Sequence, residues 1–171
     1  MLSEMLEYRD LKYEWISGLS KNTRNTIVVF RINIPGVIKL SDQSKLLFEL
    51  GIRCFEEVMG ENLWEYKVYE PQFDIIEHLA VFEVMADGSS VKKKLMTLED
   101  EHHCGRTFDF DVYHQSSEPL LRTQFNGKQR TCFLCSEDAF ACARSKAHSL
   151  EALQLYITSK AAWAFDNMKE D

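Results

Sequence analysis

The run GRTFDFDV, residues 105 to 112, leaves the chain few conformational choices. Read as a strand, it alternates phenylalanines and a valine on one face with Asp109 and Asp111 on the other, because side chains i and i+2 point the same way. Two parallel carboxylates repel, and burying either costs free energy unless something compensates. Either that face is wet, or a divalent cation sits between the two aspartates. A lone D-x-D is weak evidence for the cation, since exposed strand edges often carry such pairs.

The elements around this strand follow from local pattern. Residues 2 to 19 repeat apolar positions at helical spacing, and TIVVFRINI (26–34) is a β-branched strand stopped by Pro35-Gly36. Ser41 or Asp42 can cap a helix whose inner face runs from Leu46 to Met59, with Gly60 as its stop. Strand-like segments near 63–70 and 75–86 are separated by Pro71, and DGSS (87–90) turns into a helix over 91–103. After the strand over 106–113, PLLRTQF and RTCFLC flank Asn126-Gly127, a favoured hairpin turn. Ser136 opens one more helix and Ser149 the last, with Leu150, Leu153, Leu155, Tyr156, Trp163 and Phe165 expected over the core. The order predicts an α+β fold in a single domain over 1–171, a mixed sheet covered by helices.

Charge and cysteine usage narrow the function. The net charge of −7 disfavours non-specific binding to nucleic acid or to a membrane surface. Residues 122–148 nevertheless carry Arg122, Lys128, Arg130, Arg144 and Lys146 against Glu137 and Asp138, a balance of +3 that leaves −10 elsewhere. Such a segment suits a small polyanion better than a polymer, though ordinary solvated charge has the same composition. The N-terminus lacks an apolar signal-peptide region and no apolar run reaches membrane-spanning length, so a soluble, cytoplasmic protein is expected. Five cysteines without an export signal speak for thiols or metal ligands rather than disulfides.

Three constellations could carry chemistry. In a helix Glu99 and His102 share a face, and with Gly105, Arg106, Asp109 and Asp111 they could assemble a Mg²⁺ site of carboxylates and substrate phosphates. Cys132, Cys135, Cys142 and His148 could ligate a structural Zn²⁺, or the thiols could simply pack, as free cysteines commonly do. Arg122, Arg130 and Arg144, the last on one helix face with His148, could converge on phosphates. Lys39, at the end of NIPGVIK (33–39), could reach a ligand from another edge.

Taken together, NIPGVIK, E-x-x-H-x-x-GRTFDFDV and R-x-C-x-x-C-x-x-x-A-x-x-C-x-R-x-x-x-H resemble the apo-citrate lyase phosphoribosyl-dephospho-CoA transferases, also called holo-citrate lyase synthases. The resemblance runs from about residue 5 to residue 157. His103-Cys104 stands where members of that family carry Pro-Leu, which alters the approach to the strand and removes no carboxylate. The resemblance implies a nucleotidyltransferase reaction, and with it a nucleotidyltransferase-like fold. The 2′-(5″-triphosphoribosyl)-3′-dephospho-CoA precursor is joined to a serine of the acyl carrier (gamma) subunit of citrate lyase, and diphosphate leaves. On that reading Asp109 and Asp111 hold Mg²⁺, with Glu99 as a third carboxylate. Arg106, Arg122, Arg130, Arg144, His148 and Lys39 bind substrate, and His102, His148 or an aspartate accepts the serine proton. The competing expectation is a zinc-stabilised module that docks an acidic partner through its basic hairpin.

Overall fold

The computed structural model describes residues 2–60, 66–69, 71, 73 and 75–168. Its elements are α1 (Leu2–Asn22), β1 (Thr26–Ile32), α2 (Asp42–Met59), β2 (Tyr66–Tyr69), β3 (Leu79–Val84), α3 (Gly88–Glu101), β4 (Phe108–His114), α4 (Ala139–Ser145) and α5 (Leu150–Asn167). Part of the strand expected near 63–70 lies outside the described residues. The helix starts obey cap chemistry. Ser41 and Ser44 form a reciprocal capping box on α2, while Asp87 and Ser149 accept from backbone N–H groups at the starts of α3 and α5. Among the described residues no helix is long and apolar enough to cross a membrane.

The four strands run in the order β2-β3-β1-β4, and all three pairings are antiparallel. The fold is α+β as expected, but the sheet is not mixed. Its two faces differ sharply. Val28, Phe30 and Ile32 of β1 and Phe108, Phe110 and Val112 of β4 point into a core closed by α2, α3 and α5. Phe30 stacks on Phe110 with centroids 4.3 Å apart, and Phe55 on Phe82 at 4.4 Å. Gly51 sits where a β-carbon would fall 2.1 Å from the Phe30 ring, so α2 can lie this close to the sheet only with glycine there. Helix α5 buries Ile157, Ala161 and Ala164, whereas Leu150, Leu155 and Phe165, expected in the core, are exposed. Spacing of four and three residues defines that buried face, and its alanines permit close approach to α2.

On the opposite face Ile27, Val29, Val81 and Tyr113 pack against Ile16 of α1. That helix covers only part of the face, and the remainder carries charge.

The hairpin expected around Asn126-Gly127 does not form. Arg122–Phe125 make a 3₁₀ turn that ends at Asn126 in the left-handed region (φ 58°), and residues 131 and 138 form an isolated bridge. The outer edge of β4 is closed by other groups. Leu120 N–H donates to the Val112 carbonyl (2.7 Å), Lys92 Nζ to the Phe110 carbonyl (3.3 Å), and Phe110 N–H to Glu99 Oε1 (2.9 Å). With its edge already satisfied, β4 offers no place for a further strand.

Candidate active site

The register of β1 against β4 sets Arg31 directly across from Asp109. Both side chains, with Asp111, point to the face away from the phenylalanine core. Arg31 Nη2 donates to Asp109 Oδ2 and, at 2.9 Å, to Asp111 Oδ2. Arg130 Nη1 lies 3.0 Å from Asp109 Oδ1. The paired carboxylates are therefore compensated by a guanidinium on the neighbouring strand, rather than by water or a cation alone. Arg31 is the one charge inside TIVVFRINI, a signal that this strand residue needs a partner but not of which partner it takes.

The two aspartates are not equivalent. Burial works to raise Asp109, but Arg31 and Arg130 outweigh it and hold its carboxyl below the usual value. Asp111 shares Arg31 and lacks a close second guanidinium, so burial and the neighbouring Asp109 charge push it up. Both line a cavity of about 360 Å³ with Tyr8, Lys12, Lys39 and Glu77. Tyr8 Oη donates to Glu77 Oε1 at 3.0 Å, and Lys12 pairs with the same oxygen. Lys39 Nζ donates to the Ile34 carbonyl, and burial lowers both lysines below their ordinary values.

Glu99 plays a different part. Its side chain is only 2% exposed, and both oxygens are engaged: Oε1 by Phe110 N–H and Arg130, Oε2 by Arg122 Nη1 at 2.6 Å. Arg122 also pairs with Asp100 and donates from Nε to the Lys128 carbonyl (3.0 Å). Burial raises Glu99, and Arg130 with the Phe110 N–H acts against that rise. This network fixes the 122–130 loop to the edge of β4. Gly105 lets the turn between α3 and β4 lie close against the end of α3, because a β-carbon there would meet the Leu98 carbonyl oxygen at 2.5 Å.

A second cavity, of about 420 Å³, joins cations to apolar walls: Arg106, Arg130 and Lys146 with Pro35, Phe133 and Leu153. The Arg106 guanidinium lies 6.0 Å from the Phe133 ring centroid, and burial lowers Arg106 from its ordinary value. Asn33 lines both cavities, and Arg130 lines the second while bonding Asp109 in the first. The two spaces thus meet at one asparagine and one arginine. At the rim of the second, donor atoms of Cys132, Cys135, Cys142 and His148 all lie within 4.8 Å of one another, an arrangement able to hold a metal.

The chain matches, over residues 1–163, the family described as apo-citrate lyase phosphoribosyl-dephospho-CoA transferase. It belongs to that family. A relative from Vibrio cholerae serotype O1 (strain M66-2), named as a probable apo-citrate lyase phosphoribosyl-dephospho-CoA transferase, is 32% identical over 141 residues, covering 82% of this chain and 77% of its own length. An Escherichia coli O139:H28 transferase of the same name is 28% identical over 127 residues, or 74% of this chain and 69% of its own. A probable one from Streptococcus pyogenes serotype M3 is 28% identical over 170 residues, 97% of this chain and 87% of its own.

Of the residues this transferase family pattern singled out, the structure brings Asp109, Asp111 and Lys39 to the first cavity and Arg106, Arg130 and His148 to the second. His102 goes elsewhere. Helix α3 ends at Glu101, and His102 caps it, stacking on Phe108 and lying edge-on to Trp163 with Nε2 3.7 Å from Cys54 Sγ. Phe108 and Asp109 occupy opposite faces of β4, so His102 does not face the carboxylates. Arg144 is exposed on α4, and His148 lies beyond that helix because Lys146 takes a left-handed conformation (φ 52°) and turns the chain. Arg144 and His148 therefore do not share a helix face. Glu99, Asp109 and Asp111 do not fit a resident Mg²⁺ as they stand. Glu99 and Asp109 have both oxygens on guanidiniums or backbone N–H, and Arg31 already ties Asp109 to Asp111. Sequence reading missed Arg31, Lys12 and Tyr8. The latter two are four residues apart on one face of α1, a polar pair among apolar positions.

Proposed function

We propose that this chain transfers the phosphoribosyl-dephospho-CoA group to apo-citrate lyase, with a serine of the acyl carrier (gamma) subunit as acceptor. The donor on this reading is 2′-(5″-triphosphoribosyl)-3′-dephospho-CoA. The serine oxygen attacks the phosphorus attached to ribose, a phosphodiester bond forms, and diphosphate departs with the electron pair of the broken P–O bond. The observation that carries the reading is the junction of the two cavities at Asn33 and Arg130. A donor with a polyanionic end and an adenine-bearing end needs adjoining sites of these two characters.

The roles follow from charge and position. Arg130 and Arg31 lie where phosphate charge would be met, and Lys12 and Lys39 add cations to the same cavity. Arg106, Phe133 and Leu153 suit a nucleoside with its phosphates. Asp111 is the group we assign to accept the serine proton, since a carboxylate whose pKa is pushed upward is a better base than an ordinary one. Any Mg²⁺ requirement would enter with the triphosphate rather than from a cage of Glu99, Asp109 and Asp111. On this reading residues 1–171 form one transferase domain acting in the cytoplasm. A module docking an acidic partner is less well supported, because Arg122 of the basic segment is turned inward onto Glu99 and Asp100, with its side chain only 12% exposed.

Incubation with apo acyl carrier subunit, the triphosphoribosyl donor and Mg²⁺ should add the group's mass to the carrier and release one diphosphate per transfer. An unmodified carrier would overturn the function. Wild-type transfer by an Asp109→Asn, Asp111→Asn double variant would overturn the site.

A further inference from the structure

We infer that Cys132, Cys135, Cys142 and His148 form a structural Zn²⁺ site that holds the wall of the second cavity in place. The donor spacings suit a closed tetrahedral shell. Zinc–sulfur and zinc–nitrogen bonds of about 2.3 and 2.0 Å imply sulfur–sulfur edges of roughly 3.8 Å and sulfur–nitrogen edges of roughly 3.5 Å. Cys135 Sγ lies 3.5 Å from Cys142 Sγ and 3.2 Å from His148 Nε2, and no pair among the four donors exceeds 4.8 Å. Small outward shifts admit the ion. Three sulfurs and an imidazole favour zinc over hard cations such as Mg²⁺, and four protein donors leave no open position for substrate.

The backbone prepares this arrangement. Ala139 N–H donates to the Arg130 carbonyl (2.9 Å) and Cys132 N–H to the Glu137 carbonyl (2.7 Å), closing a loop that carries Cys132 and Cys135. Helix α4 then supplies Cys142, and the left-handed Lys146 returns the chain so that His148 reaches Cys135.

The segment also needs such a clamp. Phe140 is 73% and Leu134 40% exposed, and Cys142 is the buried residue of α4. Phe133 stacks on Tyr156 of α5 with centroids 4.8 Å apart and anchors one end of residues 131–148. The rest of the segment buries little apolar surface, and metal ligation supplies the missing free energy there. The other two cysteines sit differently. Cys54 and Cys104 are buried in the main core, where burial pushes each thiol up to about 11. Binding replaces three S–H bonds by three Zn–S bonds, adds one Zn–N bond from neutral imidazole, and releases three protons to solvent. The site reaches function through Arg130, which stands next to the clamp and bonds both Glu99 and Asp109.

The test is metal analysis of the purified full-length protein, which needs no turnover and so stands apart from the transfer assay. The expected result is one zinc per chain, and a tetrahedral thiolate spectrum when Co²⁺ replaces it. Cys135→Ser and Cys142→Ser should lose the metal, whereas Cys54→Ser should keep it. Metal-free protein that fails to take up Zn²⁺ or Co²⁺ would overturn the site, as would a Cys135–Cys142 disulfide in protein kept under reducing conditions. The wild-type stoichiometry decides the matter even where a variant fails to fold.

Discussion

Phe30 faces Phe110 and Arg31 faces Asp109 at consecutive rungs of one β-ladder. One rung is part of a dry aromatic stack under three helices; the next is a charged pair opening into a cavity half covered by α1. Strand alternation alone turns a single step along the chain from core into site. The comparison shows why the site is rigid. Its acids and its arginine stand on strands whose other face is locked by packing, so their positions are inherited from the core rather than from a loop.

The largest effect tests the dry rung. Phe30→Ala should cost about 3–5 kcal/mol in urea unfolding, because the cavity left under α2 cannot collapse onto the sheet. A loss well below this range would mean the stack is not the fold's anchor. Arg31→Met tests the charged rung and should cost less, about 2–3 kcal/mol at neutral pH, since Arg31 is 26% exposed and solvent screens part of its charge. The pH dependence has a definite sign. Asp109 is depressed in the fold, so its contribution is fully present above the unfolded value of about 4 and is lost as pH falls through the depressed value. The Arg31→Met variant loses the Arg31 share of that contribution, keeps the share of Arg130, and leaves two carboxylates facing each other. The stability gap between wild type and variant should therefore close on acidification, seen in urea curves at about pH 7 and pH 3. Parallel curves would show that Arg31 is not what the carboxylates depend on.

The alternation of Phe and Asp made the strand, its two faces and the need for compensation legible in the sequence itself. The compensator was not, because strand pairing decides which residue of β1 lies opposite Asp109, and register is a property of the whole sheet. Glu99 and His102 failed as a pair because their side chains take different partners: Glu99 binds Phe110 N–H, Arg122 and Arg130, whereas His102 packs on Phe108 and Trp163 beside Cys54. The Asn126-Gly127 signal marked a real turn, but the edge it would have extended was already closed by Glu99, Lys92 and Leu120. The Cys/His spacing carried to three dimensions intact, since its donors lie within seventeen residues and local turns suffice to gather them.

The smallest stability effect is the most informative for function. Asp111 is raised in the fold, so folding favours its neutral form more than the unfolded chain does; its contribution is present below about pH 4 and is lost as pH rises through the raised value. At neutral pH the charged side chain is a cost to the fold, imposed by burial and by Asp109. Asp111→Asn, which imitates the neutral form, should therefore unfold at the same urea concentration as wild type or be more stable by up to ~1 kcal/mol. Its transfer rate should fall by about 10²–10⁴ if the carboxylate takes the serine proton, and the acid limb of the pH–rate profile should vanish with it. A residue kept for the fold would show the reverse, a stability loss with transfer intact. A stable variant that transfers at the wild-type rate would remove Asp111 from the chemistry and leave Arg31 and Arg130 as the groups to which the cavity owes its purpose.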